Sequence, residues 1–201
     1  MRRFIIGAVL ILAAVATTGF YYMTQQADIC YYQGHDLFVK AQYKAAIPFF
    51  RESLRHDPAK TQTLSELAYA YLWSGRHREA IQVFQKLLSL EPQNLRAKKS
   101  LAIAYSWNNE YSRAEALFLD ALGPDSKDRD AQKELAEIYL WDKKFDKAKA
   151  LLEILLKGDP RDARAKFLYG KALLYSGQTR EAVRIFEELS GSSQPAAGEG
   201  A

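Results

Sequence analysis

"YLWSGRHREA", residues 71–80, places Trp73 seven residues before Ala80, and the frame returns as "YSWNNEYSRA" (105–114) and "YLWDKKFDKA" (139–148). These stretches lie 34 residues apart and hold the chain's three tryptophans, Trp73, Trp107 and Trp141. A fixed period of that length points to stacked helical hairpins, each too small to bury its own apolar face. With Thr61 as position 1, five repeats begin at Ala27, Thr61, Leu95, Arg129 and Ala163. Position 20 is always alanine (Ala46, Ala80, Ala114, Ala148, Ala182), and position 8 is always small (Gly34, Ala68, Ala102, Ala136, Gly170). Position 24 is large and apolar (Phe50, Phe84, Phe118, Leu152, Phe186), and position 11 holds Leu37, Tyr71, Tyr105, Tyr139 and Leu173. Small residues let two helices cross at roughly 8 to 10 Å, and the bulky ones fill the space around the crossing. Pro58, Pro92 and Pro160 stop three second helices, because proline lacks the N–H that a helix needs. In "LGPDSKD" Gly123 and Pro124 come early, so the third repeat should have a shorter second helix.

This pattern of small, aromatic, small, aromatic and proline closely resembles the tetratricopeptide repeat family over residues 27 to about 190. The resemblance implies an all-α helical-hairpin solenoid of about five repeats, near 27–60, 61–94, 95–128, 129–162 and 163–190. Length leaves room for one such solenoid over residues 24–190 and no second domain, and no alternating strand-like runs compete with it. The end, residues 191–201, is small, polar and apolar-poor, and is expected to be a disordered tail.

Residues 4–23, "FIIGAVLILAAVATTGFYYM", form a stretch of 20 without a charge, enough to cross a bilayer as one N-terminal transmembrane helix. Arg2 and Arg3 precede it, so residues 1–23 read as a signal anchor with a cytoplasmic N-terminus. The repeats would then stand in the periplasm, on a single-pass protein of a bacterial inner membrane. "AVA" at 14–16 leaves open the alternative of a cleaved signal peptide. Against cleavage, apolar residues continue to Met23, with Tyr21 and Tyr22 where an interfacial aromatic belt would lie. Only residues 24–26 separate the segment from the first repeat, which would tether the repeats without a flexible arm.

The single cysteine, Cys30, rules out an internal disulfide, and His35, His56 and His77 have no ligand-spaced companions for a metal. Phosphate loops, nucleophile elbows and HExxH motifs are missing from the sequence, which reads as non-enzymatic and without a cofactor. Nucleic acid is not an expected partner. Setting aside Arg2 and Arg3, 26 of the 28 basic residues remain and nearly balance the 24 acidic ones, and basic clusters with stacking platforms are lacking.

What remains is a surface. The family resemblance implies that positions 2, 5, 9, 12 and 13 of each first helix line a concave groove. The candidate partner residues are then Tyr69, Leu72 and Trp73; Arg96, Lys99, Ile103 and Trp107; Lys133, Glu137 and Trp141; and Arg164, Phe167, Lys171 and Tyr175. Position 13 reads Val39, Trp73, Trp107, Trp141, Tyr175, a candidate aromatic ladder. Packing between hairpins is an equal reading of the same residues. Lys99, Lys133, Lys171, Arg96 and Arg164 give the groove a basic bias that suits an anionic or polar partner. "YLWSGRHREA" also looks like the tryptophan-bearing repeats of bacterial cellulose and other exopolysaccharide export proteins, although Asn109 and Lys143 replace its glycine in the next two copies. The expected role is a scaffold for protein partners of an envelope complex, with polysaccharide export the process named. A glycan-binding module, or an assembly factor for cytochrome maturation or a pilus, are the alternatives.

Overall fold

The structure, a computed structural model, describes residues 2–123 and 127–191, with side chains from Val15 onward apart from Ala16 and Phe20. Among the described residues there are ten helices and no strand: α1 Arg2–Val39, α2 Tyr43–His56, α3 Thr61–Trp73, α4 His77–Leu90, α5 Leu95–Trp107, α6 Tyr111–Leu122, α7 Arg129–Trp141, α8 Phe145–Gly158, α9 Ala163–Tyr175 and α10 Thr179–Gly191. The 34-residue frame is kept closely: α3, α5, α7 and α9 each start at position 1 and end at position 13, and every second helix starts at position 17. The chain divides into two compact units, Met1–Ala104 and Tyr105–Ala201, with the boundary inside α5.

The same chemistry holds each hairpin together. The position-20 alanines are fully buried, as are Phe50, Phe84, Phe118 and Leu152 at position 24. Position 8 must be small because the second helix crosses there. A methyl group built on Gly34 would lie 2.7 Å from the Phe50 ring, and one on Gly170 would lie 2.6 Å from Phe186. Turn chemistry is also periodic. Position 15 has positive φ in all five repeats: Ala41 (57°), Gly75 (79°), Asn109 (63°), Lys143 (58°) and Gly177 (85°). In each turn the N–H after it reaches back to the carbonyl of position 11, as from Lys144 to Tyr139 at 2.8 Å, satisfying an otherwise orphaned acceptor. Asn94, Asp128 and Asp162 cap α5, α7 and α9 by accepting from the N–H three residues on.

The second helix of the third repeat does end early. α6 stops at Leu122, with Gly123 at φ 64° as its cap. The expected tail begins where α10 ends at Gly191, and residues 192–201 lie outside the described residues. Among the described residues no helix is long and apolar enough to cross a membrane, and most side chains of the expected spanning segment, 4–23, lie outside them. The backbone shows no break at residues 24–26: α1 continues as one helix into the first repeat.

Candidate binding surface

In the N-terminal unit, α1, α2 and α3 bring three aromatic side chains around Trp73. Its ring lies 5.1 Å from Tyr69, stacked, 5.5 Å from Phe38 and 5.0 Å from Tyr43 at the start of α2. Trp73 is nonetheless 47% exposed. One edge wedges between two hairpins while the rest faces solvent, so packing and availability to a ligand are both true of this ring. A cleft of about 340 Å³ opens beside it, lined by Phe38, Gln62, Glu66, Tyr69, Glu91 and Arg96 among others.

Polar groups fix the cleft wall. Tyr31 donates to Glu66 Oε1 at 2.7 Å, and Gln62 donates to the Tyr31 hydroxyl at 2.6 Å. His35 Nδ1 sits 2.9 and 3.0 Å from the two Glu66 oxygens. Burial, and then the Glu66 carboxylate, push the Tyr31 pKa up, so this hydroxyl stays a donor. Arg96 donates to the Tyr69 hydroxyl at 3.2 Å and lies over its ring at 5.4 Å. Tyr43 was invisible to the groove rule, which considers first helices only. The signal for it was the aromatic recurrence at position 17, Tyr43, Tyr111 and Phe145.

In the C-terminal unit the same wedge recurs, with Tyr175 5.8 Å from Phe145. Trp107 and Trp141, at the ends of α5 and α7, are 41% and 42% exposed. Phe167 is exposed, with the Lys171 ammonium 5.8 Å over its ring. Lys99 and Ile103 are half-buried on α5.

Two expected groove residues are not surface groups. Leu72 is buried against its neighbours, and Lys133 is buried with its ammonium 2.9 Å from both Asp130 and Asp162. Those two hydrogen bonds raise the Lys133 pKa. Burial alone would raise that of Asp162, but the Ala165 N–H and Lys133 outweigh it and hold the carboxyl below its usual range. Arg164 is likewise engaged, donating to Glu137 at 3.0 Å. The expected basic bias of the groove is therefore largely consumed inside the protein: Arg96, Lys133 and Arg164 each bind a neighbouring repeat or its cap.

The tetratricopeptide repeat family profile matches residues 40–85, 74–138 and 140–197. No curated protein sequence matches the chain. Similar solved structures include MamA (residues 41 to the end) from Desulfovibrio magneticus RS-1, at 19% identity, a TM-score of 0.75, and 86% and 99% of the two chains. Another MamA structure shares 25% identity, with a TM-score of 0.67 over 79% and 92% of the chains. YrrB, described as a TPR protein with an unusual peptide-binding site, shares 16% identity at a TM-score of 0.66, covering 88% and 91%.

Proposed function

We propose, because this chain belongs to the tetratricopeptide repeat family, that it is a non-enzymatic scaffold that holds a segment of a protein partner against its first helices. The carrying observation is Trp73: a ring held by Phe38, Tyr43 and Tyr69 that still leaves 47% of its surface exposed beside a polar-edged cleft. A rigid aromatic in a pre-formed cleft is what a binding hot spot requires, because little side-chain entropy remains to be lost. The occupant is a peptide segment with an apolar or aromatic side chain for Trp73 and backbone groups for Gln62 and Arg96. Dependence on a partner's acidic residues should be modest, since Lys133 and Arg164 already pair with Asp162 and Glu137.

The setting is a bacterial envelope complex, with residues 4–23 as the anchor and Arg2 and Arg3 keeping the N-terminus cytoplasmic. Exopolysaccharide export is the process that the tryptophan-bearing stretch favours. Half-exposed tryptophan faces support a glycan as the second reading, since such faces stack on sugar rings.

A photoreactive side chain at Gln62, in the full-length protein in its native membrane, should capture a protein partner. Trp73→Ala should abolish that adduct while circular dichroism keeps its helical signal. An adduct indifferent to Trp73→Ala would overturn the cleft as the site, and quenching of Trp73 fluorescence by oligosaccharides without a protein adduct would select the glycan.

A further inference from the structure

Several positions that are buried in other repeats are exposed at the two ends of the described repeats. At position 12, Leu72, Ser106 and Leu140 are no more than 4% exposed, yet Leu174 is 41% exposed. At position 21, Ile47 and Ile81 are buried and Val183 is 46% exposed. At position 5, Tyr31 and Lys133 are buried and Phe167 is 50% exposed. The following repeat normally covers these positions: Gln62 of the next first helix bonds Tyr31 at position 5, Trp73 of that helix packs on Phe38 at position 12, and Lys144 and Lys147, from the next turn and second helix, bond Glu115 at position 21. Residues 192–201, SSQPAAGEGA, carry no large apolar side chain with which to do so.

The opposite end shows the complementary pattern. Position 3 is Thr63, Ala97, Ala131 and Ala165, all at most 3% exposed, but Ile29 of α1 is 48% exposed. At position 6, Ser100 and Leu168 are buried, whereas Tyr32 is 66% exposed. Among the described residues, the exposed face of the last hairpin and the exposed face of α1 thus belong to one chain.

We propose that the C-terminal hairpin of one copy, through Phe167 and Leu174, is covered by the Ile29 and Tyr32 face of α1 in a second copy, joining copies head to tail. Charge supports the register. Within the chain, position 2 of one repeat binds position 9 of the repeat before it, as Arg96 does with Tyr69 and Arg164 with Glu137. Across the junction those positions are Asp28 and Lys171, an acid facing a base. Asp28 already binds Lys60, but half of its side chain is exposed and its carboxylate can accept again. Position 7 of one repeat also bonds position 25 of the preceding one, as Tyr169 donates to Glu153 at 3.1 Å. The junction pair would be Gln33 and Glu187, an amide donor and a carboxylate acceptor. Ile29 is larger than Thr63 and the alanines at its position, and Tyr32 is larger than Ser100 and Leu168 at its own, so α1 would sit near the wide end of the usual range, roughly 10 Å. The contact is heterologous, so it propagates unless its rotation closes a ring.

The test uses the full-length chain in mild detergent with Cys30→Ser, so that introduced cysteines are the only ones. Chains carrying Gln33→Cys and chains carrying Glu187→Cys are oxidised each alone and, from the reduced state, as a mixture. The expected result is a disulfide-linked dimer from the mixture alone. Dimers formed as readily by either variant by itself would show two-fold pairing and overturn the proposal. So would the absence of any adduct together with the mass of a single chain in sedimentation, which would leave this end to the helix of another protein. Lys171→Glu should weaken self-association by about tenfold or more, and Asp28→Lys in the same chain should restore it. Unchanged association in Lys171→Glu would overturn the register.

Discussion

Glu115 on α6 shows how much a single side chain can hold. It lies 2.7 Å from Lys144 and 2.8 Å from Lys147, and Lys147 also sits 5.3 Å over the Tyr139 ring. Burial would raise the Glu115 pKa, but the two ammonium groups outweigh it and bring it from 4.5 down to about 2. Because the folded pKa is depressed, the stabilisation is complete above the unfolded value and is lost as pH falls from about 4.5 to about 2. The loss is at most about 3 kcal/mol. Glu115→Gln should therefore be less stable at pH 7 and show a flatter decline through that window in urea titrations. Lys147 looks like an interchangeable surface lysine, since no local pattern links position 19 of one repeat to position 21 of the preceding one. Lys147→Ala should instead cost up to about 1 kcal/mol, limited by its exposure. Phe118, by contrast, was legible from its period. It is fully buried, and Phe118→Ala should cost about 3 to 5 kcal/mol in the same titrations.

At the scale of the helices and their turns, the first helices of repeats two to five start at position 1 of the sequence frame, because the position-8 and position-20 contacts recur. Periodicity did not foretell the backbone at position 15. Only Gly75 and Gly177 advertise a left-handed residue, while Ala41, Asn109 and Lys143 adopt the same conformation because the turn requires it. Loss of glycine in repeats three and four thus changes the strain and leaves the turn intact. A left-handed conformation costs a side-chain-bearing residue roughly 1 to 2 kcal/mol. Lys143→Gly should recover about 1 kcal/mol, net of the glycine's greater unfolded entropy, and raise Tm by about 2 to 4 °C. Gly75→Ala should lower it by a similar amount. Nothing within 4 Å of Gly75 would clash with a methyl group, so that change isolates the backbone term. The aromatic wedge of Trp73 lies between these cases. Its period was legible, but whether it packs or projects was not, because Tyr43 belongs to a helix that groove rules ignore.

For the whole molecule, the decisive question is where the chain places its repeats, and α1 frames it. The helix runs from Arg2 to Val39, about 57 Å at 1.5 Å per residue, so the uncharged stretch and the first repeat share one axis. If that stretch is the anchor proposed above, the first hairpin is held close to the bilayer by a continuous helix. A reporter that is active only outside the cytoplasm, fused after Ala201, should then be active. The protein should also stay with the membrane after high-salt and carbonate washes, because burial of about 20 apolar residues does not depend on ionic contacts. Moving charge provides the sharper test. With Arg2 and Arg3 as the only charges before Asp28, the double change Arg2→Glu, Arg3→Glu removes the cytoplasmic retention signal and should reduce reporter activity. Processing after Ala16 would instead release a soluble, faster-migrating chain beginning at Thr17, with α1 shortened but its part in the first repeat intact. That outcome would remove the membrane from the proposed function and leave the cleft beside Trp73, which is built from residues after Val15, as the surface to pursue.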